Sequence, residues 1–237
     1  LTRAYNAQHT GDYDVARRFY IRCIEIEPNN QDIQLSYGEF LAEIGLVDEA
    51  KQIFKKMCND STQDVSASAI FSLAQLQSGK EASNTFEQGI LALQTQLNSN
   101  DNDNNNNEAI TKQIASAYCR IIEIYMTDLC FEQNAEQICV EAATKAVEYG
   151  GNDNAEALYC YANVSLSQCK NNIAKEYITK AADALQIAAD KDQEEVNDFE
   201  ISYDLQLNIA KVLIEVNEPS KASDILERLL LINDTDI

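Results

Sequence analysis

The sequence predicts an all-α protein of about six stacked helix pairs, and three observations predict it. Its 237 residues hold two prolines and seven glycines, and Ala, Leu, Ile, Glu and Gln are abundant. That composition favours helices joined by short turns over any sheet. A residue pattern then recurs: Gly11, Tyr13, Ala16, Tyr20 and Cys23 return as Gly45, Val47, Ala50, Phe54 and Met57, each displaced by 34 residues, and Ala4 and Gly38 keep the same step. Finally, the order small, large, medium at steps of four and three makes one apolar helix face, and it appears repeatedly along the chain.

In the first pair, Ala4 lets the partner helix approach closely, Gly11 loosens the turn, and Pro28 stops the second helix because proline cannot continue it. The second pair copies this with Gly38, Gly45, Ala50, Phe54 and Met57. The third carries Ala82, Phe86 and Gly89, with Gly79 only three residues before Ala82 where the first two pairs use five. Residues 98–107, NSNDNDNNNN, hold seven asparagines and no apolar group, so they cannot offset the entropy of ordering; a disordered loop is expected at 98–108. A helix from about Ala109 to Thr127 and another from about Asn134 to Tyr149 form a divergent fourth pair, joined by the longer turn DLCFEQN. The fifth contains Ala174, Ile178 and Ala181; its second helix runs on through ALQIAADKDQEEV. The 48 residues from Ala174 to Ala222 call for an extended helix or an acidic link. The sixth, with Ala222, Leu226 and Leu229, closes at Leu231. No polar capping helix follows, and the chain starts on Leu1, so a fragment of a longer chain is expected, continuing past Ile237. The spacing resembles the tetratricopeptide repeat, which implies one tetratricopeptide-repeat superhelix, an α-solenoid, over residues 1–237.

Charge excludes whole classes of partner. Asp and Glu number 39 against 18 Lys and Arg, a formal net charge of −21. Phosphate backbones are gripped by clustered cations, so direct nucleic-acid binding and attachment to anionic membranes are not expected. No apolar run approaches the roughly 18 residues of a membrane span, and no signal peptide is recognisable.

Catalytic chemistry finds little footing. His9 is the only histidine, which removes most triads and transition-metal sites. There is no GxGxxG, and Gly79-Lys80 lacks the rest of a phosphate-binding loop. The cysteines at 23, 58, 119, 130, 139, 160 and 169 are odd in number and form no CxxC pair, pointing to a reducing compartment rather than a disulfide framework or a zinc site. Cys23, Cys119, Cys139 and Cys160 fall in helical apolar patterns and read as core. The expectation is a non-enzyme with no cofactor and no metal. The tyrosines at 118, 125, 149, 159, 161 and 177 also read mostly as inter-helix filling, with Tyr159 the exception.

In a solenoid of helix pairs the concave wall is lined by the first helix of each pair. Turning Gly38, Ala162 and Ala210 toward their partner helices leaves Asp32, Leu35, Glu39 and Glu43 on that wall in the second pair. The fifth contributes Glu156, Tyr159 and Asn163, and the sixth Asp204, Lys211 and Glu215. In the fourth, Glu123, Tyr125 and Asp128 lie near the exposed C-terminal half of the helix. Repeat modules that clamp acidic C-termini need Lys, Arg and Asn at such positions. Here they are largely acidic or apolar, so a Lys/Arg-rich segment is the expected ligand, with steering that raises its association rate by roughly 10 to 10³ at low salt.

Residues 116–168, and above all IYMTDLC at 124–130 followed by Ala135–Gln137, resemble the dedicated assembly chaperones of ribosomal protein uL4. The order of repeats, with a variable polar insertion before a divergent fourth pair, is similar too. The resemblance implies a non-enzymatic chaperone working in cytoplasm and nucleus; a monomer is expected because a peptide-binding solenoid needs no symmetric partner. It would hold the basic internal loop of new uL4 in an acidic concave groove and escort it to nuclear pre-60S assembly. The candidate contacts are Glu39, Glu43, Glu123, Tyr125, Asp128, Tyr159, Asn163 and Glu215. The alternative is a generic tetratricopeptide scaffold in a multi-subunit complex.

Overall fold

In the computed structural model, residues 1–59, 66–99, 104–192 and 202–234 are described. They form twelve α-helices: α1 Thr2–His9, α2 Tyr13–Ile26, α3 Gln31–Glu43, α4 Val47–Asn59, α5 Ala67–Gln75, α6 Gly79–Ser99, α7 Asn104–Met126, α8 Ala135–Gly150, α9 Ala155–Ser167, α10 Asn171–Asp192, α11 Tyr203–Glu215 and α12 Pro219–Asp234. Among the described residues there is no strand. Consecutive helices pack as six pairs, so the helical solenoid stands. The chain divides into two compact units, Leu1–Ser99 and Asn100–Ile237, each with three pairs.

Packing follows the recurring triplets. Ala16, Ala50, Ala82, Ala174 and Ala222 are all buried, as are Tyr20, Phe54, Phe86 and Ile178 four residues on. Gly38 shows why the first helix needs a small residue: a Cβ there would lie 2.5 Å from Cε1 of Phe54. Gly89 makes the same space for Phe71, at 2.4 Å. In the first unit the core is aromatic, with Tyr20 stacked on Phe40 at 5.1 Å between centroids and flanked by Tyr37 and Tyr5. The sixth pair departs from its expected triplet. Ile225 is buried and Leu226 only half-buried, because a 3.6-residue period lets a step of three carry the inward face as well as a step of four.

Four of the turns within pairs share one hydrogen-bond scheme. The N–H groups of Asp12, Leu46, Lys170 and Glu218 donate to the carbonyls of Ala7, Leu41, Ser165 and Leu213, at 2.8–2.9 Å. One residue earlier, Gly11, Gly45, Cys169 and Asn217 donate to Gln8, Ala42, Leu166 and Ile214. This Schellman arrangement satisfies the last carbonyls of the first helix and needs a left-handed residue at its centre. The φ angles there are +76°, +81°, +58° and +62°. Glycine takes such a conformation freely and asparagine tolerates it, whereas a Cβ-bearing cysteine is strained. Cys169→Gly should therefore stabilise the protein by about 1 kcal/mol and raise the melting temperature by about 2–4 °C. Calorimetry giving an unchanged or lower melting temperature would contradict this.

Side-chain caps start other helices: Asp12, Asn30 and Asn154 accept from the N–H groups of Val15, Ile33 and Ala157. Pro219 opens α12, where its missing N–H costs nothing. Of the segment expected as a disordered loop, residues 98–99 end α6 and 104–108 begin α7, while 100–103 lie outside the described residues. Buried Ile110 and Ile114 anchor α7, and its helix extends back from them through residues too polar to show a periodic signal. The fifth pair's second helix is extended, through Asp192, and the rest of that expected helix or link lies outside the described residues.

Candidate functional site

The outward faces of the first helices are built separately in the two units. In the first unit, α1 and α3 lie side by side. The Tyr5 hydroxyl and Ser36 Oγ are 2.8 Å apart, and the Gln8 amide donates to a Glu43 carboxylate oxygen. Gly38 is buried toward α4, as the register required, and this leaves Asp32, Glu39 and Glu43 exposed, with Leu35 half-buried. Among the described residues none of these three carboxylates is in an ion pair. Partial burial pushes the Glu39 carboxyl up.

Behind this stripe stands Tyr20, fully buried, whose hydroxyl donates to Gln8 Oε1 at 2.9 Å. Burial, and then the charges of Tyr5, Glu43 and Glu39, raise its pKa from 10.0 to about 12. The fold holds the neutral phenol, so this contribution to stability is complete below pH 10 and is lost as the pH climbs toward about 12. Tyr20→Phe should make the alkaline fall of the urea midpoint shallower; an equally steep fall in the variant would refute the assignment.

In the second unit α7 and α9 face outward together. Arg120 bridges Glu123 of its own helix at 3.0 Å and Glu156 of α9 at 3.3 Å. Burial pulls the guanidinium pKa down, but the two glutamates outweigh it and hold it above its ordinary value. One turn along, Asn163 Nδ2 lies 3.9 Å from Met126 Sδ. Tyr159 is half-buried between these contacts, its phenol pushed up by burial and then by Cys160 and the charge of Glu123. Glu123, Glu156, Tyr159 and Asn163 thus share one surface, and Arg120 and Met126, which the acidic pattern hid, complete it.

Tyr125 stands elsewhere. Two residues round α7 from Glu123 is about 200°. It shares a face with Tyr118 and Ile122, which meet α8 through the Tyr118–Tyr149 stack and the contact of Cys139 Sγ with the Ile122 carbonyl. Asp128 is exposed just beyond the end of α7. On α11, Glu215, Lys211 and Asp204 are exposed, with Ala210 buried toward its partner helix; Lys211 donates to Asn208.

Nothing in this surface resembles a catalytic constellation. Among the described residues no group of three His, Cys, Asp or Glu could hold a metal, and no helix is long and apolar enough to cross a membrane. Cys119 is buried against Cys160, whose hydrogen bond, together with burial, holds its thiol well above the ordinary range; burial also pushes the Cys139 thiol up. These are packing thiols rather than nucleophiles.

The model of the Tetratricopeptide repeat family matches residues 8–70. A protein named "Probable assembly chaperone of rpl4" from Schizosaccharomyces pombe is 32% identical over 193 residues, covering 80% of this chain and 55% of the relative. One of the same name from Emericella nidulans is 25% identical over 251 aligned positions, covering 100% of this chain and 61% of the relative. The chain therefore spans little more than half the length of these curated relatives. Among solved structures, that of "Assembly Chaperone of RpL4 (Acl4)" matches with a TM-score of 0.77 at 23% identity, covering 99% of this chain and 89% of that one.

Proposed function

We propose that this chain, which belongs to the tetratricopeptide-repeat proteins and is a homologue of the probable assembly chaperones of rpl4, is a non-enzymatic chaperone of ribosomal protein L4 (uL4). Its ligand is the basic internal loop of newly made L4. It keeps that loop soluble and travels with it from cytoplasm to nucleus, to the point of pre-60S assembly. The chain acts as a monomer, and neither nucleic acid nor membrane is a direct partner.

The observation that carries the reading is the α3 stripe, on which Asp32, Glu39 and Glu43 are exposed on the first-helix face and stand outside any ion pair among the described residues. A segment made to bind ribosomal RNA carries Lys and Arg, and when free it attracts stray nucleic acid. Carboxylates on a folded wall compete for the same cations. Tyr159 and Met126 add apolar surface against which long Lys and Arg stems pack. The Arg120 bridge neutralises part of the acidity of the surface shared by α7 and α9, whereas no such bridge offsets the α3 carboxylates.

The test is a salt titration with a synthetic peptide of the L4 loop. Affinity should fall by about tenfold or more between 50 and 300 mM NaCl, because exposed charges are screened over about 8 Å at physiological salt. A generic scaffold, which buries apolar surface instead, would bind with weak salt dependence. Salt-insensitive binding would overturn the acidic-surface mechanism.

A further inference from the structure

The turn between α7 and α8 presents an aromatic ring that the proposed loop-binding surface does not use. Phe131 is 99% exposed. Burying a phenylalanine ring is favourable, and none of that gain is realised here. The turn is nevertheless held in place. The N–H of Thr127 donates to Glu123, Leu129 to Ile124, Glu132 to Leu129 and Ala135 to Glu132, each at 3.0 Å. A ring on an ordered turn is immobilised at little further entropic cost, which is the economy of a binding anchor.

Its surroundings set the chemistry of the partner. Residues 127–137, TDLCFEQNAEQ, carry Asp128, Glu132 and Glu136 and no Lys or Arg. All three acids are exposed, and Glu136 accepts from Gln168. The ring is thus an apolar point in a field of formal charge −3, matched by an apolar recess rimmed with Lys or Arg. The turn also continues directly from the helix that carries Glu123, so a basic protein lying on the α7 surface passes beside it.

We propose that Phe131 is a second anchor for the basic client, seating in an apolar recess of L4 outside its internal loop. This rests on the preceding reading that L4 is the client. The one chain then makes two kinds of contact: carboxylates that gather the extended loop, and one aromatic that engages the remainder of the protein.

Full-length L4 and the isolated loop peptide distinguish the two readings. Phe131→Ala should weaken full-length L4 by about tenfold or more and leave the loop peptide unchanged, with an unaltered melting curve because nothing packs on the ring. With p-benzoylphenylalanine at 131, the photo-cross-link should map to L4 residues outside the loop. Equal weakening of both ligands, or a cross-link within the loop, would overturn the second anchor by placing Phe131 in the loop site. Unchanged binding of full-length L4 would overturn it too, while retention of the loop peptide leaves the chaperone reading intact. Failure of wild-type protein to bind either ligand would remove both.

Discussion

Replacing Phe54 with alanine is expected to cost the first unit about 3–5 kcal/mol, the range for a fully buried aromatic, and to lower its urea midpoint accordingly. Phe54 is 1% exposed, and its ring occupies the space left by the missing side chain of Gly38 on the facing helix. The two residues form one packing unit, so their substitutions should not add. Gly38→Ala alone gains helix propensity but puts a methyl group 2.5 Å from the ring, and the overpacking outweighs the gain. With Phe54→Ala already present, the same methyl group enters vacated space and becomes neutral or stabilising. A double-mutant cycle in urea measures this. Additive losses would show that the contact between α3 and α4 does not depend on this pair.

Reversing the charge of α3 should have the largest effect on binding. Glu39→Lys with Glu43→Lys is expected to weaken the L4 loop peptide by about tenfold or more at low salt, with much of the loss appearing in the association rate. Glu39→Gln with Glu43→Gln should lose less, and the gap should close as salt rises. The glutamine pair is also the structural control. Glu43 accepts from the Gln8 amide, which in turn receives the Tyr20 hydroxyl; glutamine can still accept, while lysine cannot. A loss confined to the lysine pair and undiminished at high salt would assign the effect to this hydrogen-bonded chain rather than to charge. Reversal of Glu123 and Asp128 should have a smaller effect, because removing Glu123 leaves Arg120 with Glu156.

The fold was legible where packing imposes a period. A small residue under a large one four positions later, as at Ala16 and Tyr20 or Ala50 and Phe54, is a signature of helix against helix, and each of these residues is buried. The turns were legible only while glycine filled them. Cys169 and Asn217 adopt the same left-handed backbone, but their identity gives little warning, because the conformation is set by carbonyls three and four residues upstream. The division at Ser99 falls where asparagines suggested a loop, yet helix propagation from Ile110 and Ile114 was not visible in their composition.

The first-helix surface was legible as a register. Gly38, Ala162 and Ala210 oriented their helices correctly and so exposed Glu39, Glu43 and Glu215, with Tyr159 and Asn163 half-buried. Helix α7 lacks such a small marker in its outer half, and Tyr125 was therefore grouped with Glu123 although it lies on the side shared with Tyr118. Arg120 was missed because a search for acidity passes over the single cation that two acids share.

The chain from Tyr20 through Gln8 to Glu43 gives the molecule an optical consequence. The sequence has no tryptophan, so its near-ultraviolet emission comes from tyrosine. A phenol sealed from solvent but wired through one amide to a surface carboxylate registers, in its spectrum, what happens to a charge it never touches. If the L4 loop engages Glu43 as proposed, its arrival should change the tyrosine emission and can be followed without a dye or a tag.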